Sequence, residues 1–153
     1  MKNFKIDKSG KSKAFFFKKI FPHVSNQIIK NLIKEYKKSN ADVRVCLHNN
    51  KGSQLQCMIN LIVKKKKYQP HYHRDSEEYY FFIKNNLKVS TFSKKIIFKK
   101  NYFLTKNNFL LKIEKNIPHI TIPKKNFCIY LEFKSGPFVK SSSVIYDREI
   151  IVR

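Results

Sequence analysis

His71-Tyr72-His73-Arg74-Asp75-Ser76-Glu77-Glu78 holds two of the chain's five histidines and three of its ten acidic residues. Successive side chains of an extended strand point to opposite faces, so His71 and His73 share a face and both imidazoles reach one point. A carboxylate and a third imidazole, that of His119 in the pair Pro118-His119, complete a set of three nitrogens and one oxygen. Such a set suits a divalent transition metal, with zinc, iron, manganese and nickel all open. An HxH pair alone is commonplace on exposed edge strands. The acids that follow at close spacing, and the later histidine, turn it into a candidate metal site.

On either side of this segment the pattern is one of short strands between Lys, Asn and Gly turns. Strands are expected at Arg44 to Leu47, Cys57 to Val63, Tyr68 to His73, Glu78 to Ile83 and Lys88 to Phe92. Further strands are expected at Lys95 to Phe98, Phe109 to Ile113, His119 to Ile122 and Phe127 to Phe133. So many strands at close spacing argue for an all-β sandwich or barrel. One helix precedes them, because Ile28, Ile29, Leu32, Ile33 and Tyr36 recur at helical spacing, with Ser25 as N-cap and Asn40 as stop. The organisation read from this is a basic N-terminal arm over 1–23 and a single domain over 24–153. Its helix covers 25–39 and its barrel begins at about 43. A chain of 153 residues that is 42% hydrophobic, with 14 Phe and 8 Tyr, can bury one core of this kind.

The formal charge of +23 would favour a phosphate polymer. Yet only four of the 33 basic residues, Arg44, Arg74, Arg148 and Arg153, are arginine, the side chain best fitted to phosphate and base recognition. Nucleic-acid binding is therefore not the expected role, and a small anionic ligand would feel the same field. Cys46, Cys57 and Cys128 form no CxxC pair and sit in apolar runs, as reduced core cysteines do. Met1 to Lys13 is too charged for a signal peptide, and no apolar run approaches the ~20 residues that cross a bilayer. A cytoplasmic protein is expected. The stretch around Phe15-Phe16-Phe17 is expected to form an N-terminal strand or arm that docks its phenylalanines on the barrel or on a second subunit, and it is the one feature of the chain that argues for a homodimer.

The segment at His71 matches His-x-His-x4-Glu-x6 with Asn85 where a glycine is usual. Glu114-Lys115-Asn116-Ile117-Pro118-His119 matches Pro-x-Gly-x-x-His in its histidine and in its place before a strand. These segments resemble the two motifs of the cupin superfamily. Asn tolerates positive φ better than most residues, so Asn85 and Asn116 can still turn the chain. Cys46-Leu47-His48, Gln56-Cys57-Met58-Ile59-Asn60, Tyr68-Gln69-Pro70-His71-Tyr72-His73 and Leu131-Glu132-Phe133-Lys134-Ser135-Gly136-Pro137-Phe138 occur in the order of the WbuC-type cupin-fold metalloproteins. Those belong to surface-polysaccharide (O-antigen) gene clusters, and the resemblance spans roughly Val24 to Phe138.

The resemblance implies a cupin jelly-roll β-barrel whose metal ligands are His71, His73, Glu78 and His119, with Glu77 a rival to Glu78 of the same chemistry. Four such ligands leave up to two positions open on an octahedral metal. Tyr80, two residues after Glu78, shares its face and is a candidate catalytic proton carrier, as is His48, which matches the family's Leu-His element, and Arg44, Asn60 and Glu132 are candidate ligand-binding residues of the cavity wall. Glu132, Gln56 and Asn60 are also placed to hold the outer ring nitrogens of the histidines, whereas Arg74 is expected to point outward. The implied ligand is an anionic saccharide or sugar nucleotide of bacterial surface-polysaccharide synthesis. An isomerase or epimerase, an iron oxygenase, or a non-catalytic metal-dependent binding module are the activities it leaves open.

Overall fold

The single helix forms where the apolar spacing places it, as α1 (Asn26–Ser39), in the computed structural model, which describes residues 4–7, 12–18 and 22–151. Ser25 is extended at its N-cap, and its carbonyl accepts the Ile28 N–H. Asn40 closes the helix in the left-handed region at φ 47°, a conformation its short polar side chain tolerates. Ile28 and Leu32 bury the inner stripe.

The strands before and around the helix are β1 (Phe4–Asp7), β2 (Lys13–Phe17), β3 (Val43–Cys46) and β4 (Leu55–Val63). Then come β5 (Lys67–Tyr68), β6 (His71–His73), β7 (Glu78–Lys84), β8 (Leu87–Phe92) and β9 (Phe98–Leu104). The rest are β10 (Leu110–Ile113), β11 (His119–Pro123), β12 (Phe127–Ser135), β13 (Ser143–Ile145) and β14 (Ile150–Ile151). A seven-stranded sheet runs β1-β2-β3-β4-β12-β7-β10, and a five-stranded sheet runs β13-β6-β11-β8-β9. β5 pairs with β14 in a separate two-stranded ribbon.

Period-two alternation makes the larger sheet apolar on both faces. One face, with Phe15, Phe17, Val43, Val45, Ile59, Leu61 and Ile129, lies under Ile28 and Leu32 of α1. The opposite face brings Tyr80, Cys128 and Tyr130 against Leu87, Val89 and Leu104 of the smaller sheet. The space between the sheets is thus the interior of the jelly roll, and it receives the even-numbered side chains of β4, β7 and β12. β9 and β10 end their respective sheets without pairing with each other. A hollow of about 340 Å³ opens between them, with Val89, Thr91 and Tyr102 on one wall and Leu111 and Ile113 on the other.

Several strands depart from the sequence reading. Lys95 to Phe98 is not a strand: Ser93 and Ile97 close a tight turn, and Ile96 takes φ 59° within it. Burial of Ile96 against Phe92, Ile120 and Ile122 offsets that unfavourable backbone. The strand is instead the lysine-bearing β9, an edge strand whose two faces are largely exposed, so it carries no apolar alternation. Tyr68 to His73 divides at Pro70, with β5 and β6 joining different sheets. Within 1–23, the described residues 4–7 and 12–18 supply β1 and β2, and β2 lies parallel to β3 with Phe15 opposite Val45. Phe15, Phe16 and Phe17 are all buried inside the subunit, so the triplet does not argue for a second copy. Asn85 and Asn116 both adopt positive φ, 58° and 63°, at the turns where the motif glycines would stand.

Candidate metal centre

Strand pairing builds the site. His71 and His73 lie on β6, and antiparallel pairing sets His119, the first residue of β11, directly opposite His71. Glu78 opens β7 in the facing sheet. One ligand atom from each of His71, His73, Glu78 and His119 falls within 4.8 Å of all the others, and three of the four residues are buried, His71 being the most open. His73 Nε2 is 2.9 Å from Glu78 Oε1, and His119 Nε2 is 3.2 Å from Glu78 Oε2. Glu77 points elsewhere, to Lys112 at 3.0 Å and to the Tyr79 hydroxyl, which donates to it.

The outer ring nitrogens decide which inner ones are free. His119 Nδ1 donates to the Ile117 carbonyl at 2.8 Å, leaving the Nε2 lone pair to face inward. His73 Nδ1 lies 2.9 Å from Ser143 Oγ on β13. Both Nε2 atoms are fully buried, close to the carboxylate yet without a hydrogen bond of proper angle. Buried nitrogens without partners are costly, and here they converge with a carboxylate on one point. This donor set fits a divalent cation of the zinc, iron, manganese or nickel class.

The electrostatics differ from one member of the cluster to the next. Burial pushes His71 down to about 3, helped by the neighbouring His119, so its imidazole is neutral and ready to donate. Burial opposes ionisation of Glu78, but the His119 and His73 rings beside it hold the carboxyl well below its ordinary range. Burial would also lower His119, but the Glu78 carboxylate overcomes it and raises the imidazole. The Tyr80 hydroxyl donates to Glu78 Oε2 at 2.8 Å, and burial followed by the Glu78 charge keeps that phenol well above its usual value.

A second polar layer lies on the same inner face. Glu132 on β12 stands opposite Tyr80 and is buried, accepting from Asn60 Nδ2 at 2.6 Å. Burial and the Glu78 charge lift its carboxyl to about 7. Arg44 is the register partner of Asn60, and its buried Nε has no partner. Gln56 hydrogen-bonds to the Lys51 and Ser53 carbonyls and not to a histidine. His48 is outside the cluster, with Nδ1 held at the Cys57 backbone and its ring edge-on to Phe16. Arg74 is exposed.

Sequence reasoning missed Lys134, Ser143 and the Ile117 carbonyl. Lys134 Nζ lies 3.8 Å from Glu78 Oε1 and 3.9 Å from Glu132 Oε1, with only 12% of the side chain exposed. Alternation along β12 with Tyr130 and Glu132 was the available signal for it. Ser143 had none, because it sits 70 residues from the histidine it meets.

No protein-family model matches the chain, and no curated protein matches it in sequence. Solved structures match its shape. Protein SO0799 from Shewanella oneidensis has a TM-score of 0.53 at 12% identity, over 62% of this chain and 63% of that one. CapF, crystallised with the inhibitor 3-isopropenyl-tropolone, has a TM-score of 0.52 at 9% identity, over 61% and 28%. The fold is the all-β cupin jelly roll. This cupin-fold chain spans less than two thirds of the length of either structure. Among its described residues, no helix is long and apolar enough to cross a membrane.

Proposed function

We propose that this cupin-fold chain binds one divalent transition metal through His71, His73, Glu78 and His119. There it acts on, or recognises, an anionic saccharide or sugar-nucleotide intermediate of bacterial surface-polysaccharide synthesis in the cytoplasm. The observation that carries the metal reading is the pair of buried, unpartnered Nε2 atoms of His73 and His119 converging on Glu78. The saccharide reading is supported by the WbuC-type sequence blocks. Bound, the metal supplies Lewis acidity toward a carbonyl or hydroxyl of the ligand.

The chain's own residues divide the remaining work. Ser143 and the Ile117 carbonyl fix the His73 and His119 rings. Tyr80 commits its proton to Glu78 and so orients that carboxylate. Glu132, poised near 7, is the group suited to exchange a proton with a ligand at neutral pH. Arg44 and Asn60 flank it as ligand contacts. The tropolone bound by CapF is an oxygen chelator, a suitable first probe for a metal with open positions here.

Elemental analysis of untagged protein beside the His71→Ala/His73→Ala double variant tests the centre. Near-stoichiometric metal in the wild type and none in the variant is the expected result; equal content in both overturns it. Thermal shifts of the metal-loaded protein with sugar nucleotides then test the ligand. Stabilisation without turnover assigns a binding module, and no shift with any anionic saccharide removes the saccharide reading.

A further inference from the structure

Lys134 is a mostly buried cation that the metal reading leaves without a role. Its ammonium sits between two carboxylates at 3.8 and 3.9 Å, too far from either for a hydrogen bond, and stands 5.8 Å from the Phe138 ring centre. The Glu78 oxygen it approaches is the same Oε1 that faces His73 Nε2. A divalent ion held by His71, His73, Glu78 and His119 would draw the Glu78 charge to itself. Lys134 would then stand beside a centre whose remaining charge is positive, with the Glu132 carboxyl at 3.9 Å as the carboxyl group left to it. Two cationic groups this close, with only the Glu132 carboxyl at 3.9 Å to offset them, repel each other. An oxygen anion shared between them removes the repulsion and gives the ammonium a charge-assisted hydrogen bond.

We propose that Lys134 is a specificity-determining residue that anchors an oxyanion group of the ligand, a carboxylate or a phosphate, whose other oxygen lies on the metal. The inference rests on the metal reading given above and adds to it which residue receives the ligand's negative charge. Neutral ligands gain nothing from Lys134.

The test uses the full chain loaded with cobalt(II). Oxalate, inorganic phosphate and neutral imidazole are titrated in turn, with visible absorption of the cobalt as the readout. Wild-type protein binds oxalate or phosphate; Lys134→Gln weakens that binding at least about tenfold, and Lys134→Arg keeps it within about threefold. Imidazole binds all three proteins alike. Cobalt content is measured on every sample, and Lys134→Met replaces the Gln variant if that protein does not fold with full cobalt. Unchanged anion affinity in the neutral variant overturns the proposal, as does an equal loss in Lys134→Arg, or a wild type that binds neither anion. With cobalt content intact, any of these leaves the metal centre standing. Failure of the wild type to take up cobalt removes the metal reading and this inference together.

Discussion

His119 serves two states of the centre, and its proton is what separates them. Without metal, burial pulls the imidazole below its ordinary 6.5, but Glu78 prevails and raises it. Ligation needs the neutral ring, so metal must displace that proton. Affinity for zinc is therefore flat at pH values above the raised pKa and falls as pH drops through it, in a window that begins above 6.5. The slope approaches about tenfold per pH unit, one proton per metal. Competition with a chromophoric indicator between pH 8.5 and 6 measures it, and a flat profile would remove His119 from the ligand set. Glu132 titrates in the opposite sense for stability. Its folded value of about 7 lies above the ordinary 4.5, so its stabilising, protonated form is lost as pH rises from 4.5 through 7. Glu132→Gln should gain on the wild type by roughly 1–3 kcal/mol between pH 5 and pH 8 in urea unfolding of metal-free protein. At His73, Ser143→Ala should weaken metal retention by roughly 10–100-fold, read in the same indicator assay.

At the scale of elements, the strands that carry the proposed ligands were legible because each of these residues marks its own strand. His71 and His73 alternate on β6, and Glu78 and His119 open β7 and β11. The turns were legible too, since Asn85 and Asn116 are residues that accept positive φ. β9 was not, because an edge strand exposed on both faces has no reason to alternate, while the apolar pair Ile96-Ile97 that imitates a strand belongs to a turn. β2 was legible as a strand or arm docked on the barrel through Phe15-Phe16-Phe17, whereas β13 was unreadable, because its partner β6 lies some 70 residues away and pairing over such a distance leaves no local pattern. The loop after β12 is similarly constrained from afar. Gly136 donates its N–H to the Gln54 carbonyl, and a Cβ there would lie 1.9 Å from the Ser53 carbonyl oxygen. Gly136→Ala should therefore cost more than about 2 kcal/mol and lower the melting temperature by several degrees. A melting temperature equal to that of the wild type would show that the loop can move away.

For the whole molecule, the charge of +23 is a load on the compact state, since so many like charges repel across a small surface. Salt screens that repulsion over about 10 Å at 0.1 M. The melting temperature should accordingly rise as sodium chloride goes from 10 mM to 0.5 M, and a fall would mean that attractive pairs such as Lys13–Glu35 outweigh the net repulsion. The placement of β13 bears on the order in which the molecule is made. Chains fold from the N-terminal side as they emerge, and all four proposed ligands precede Ser143, which lies against the His73 ring. During synthesis, then, the four residues leave the ribosome ahead of the one that steadies the His73 ring. An ion taken up at the proposed centre in that interval would lack one of the contacts that steady its donors. Pairing of β13 with β6 completes the surroundings of the His73 ring, so one of the last strands of the chain finishes a cluster whose four members were all delivered earlier.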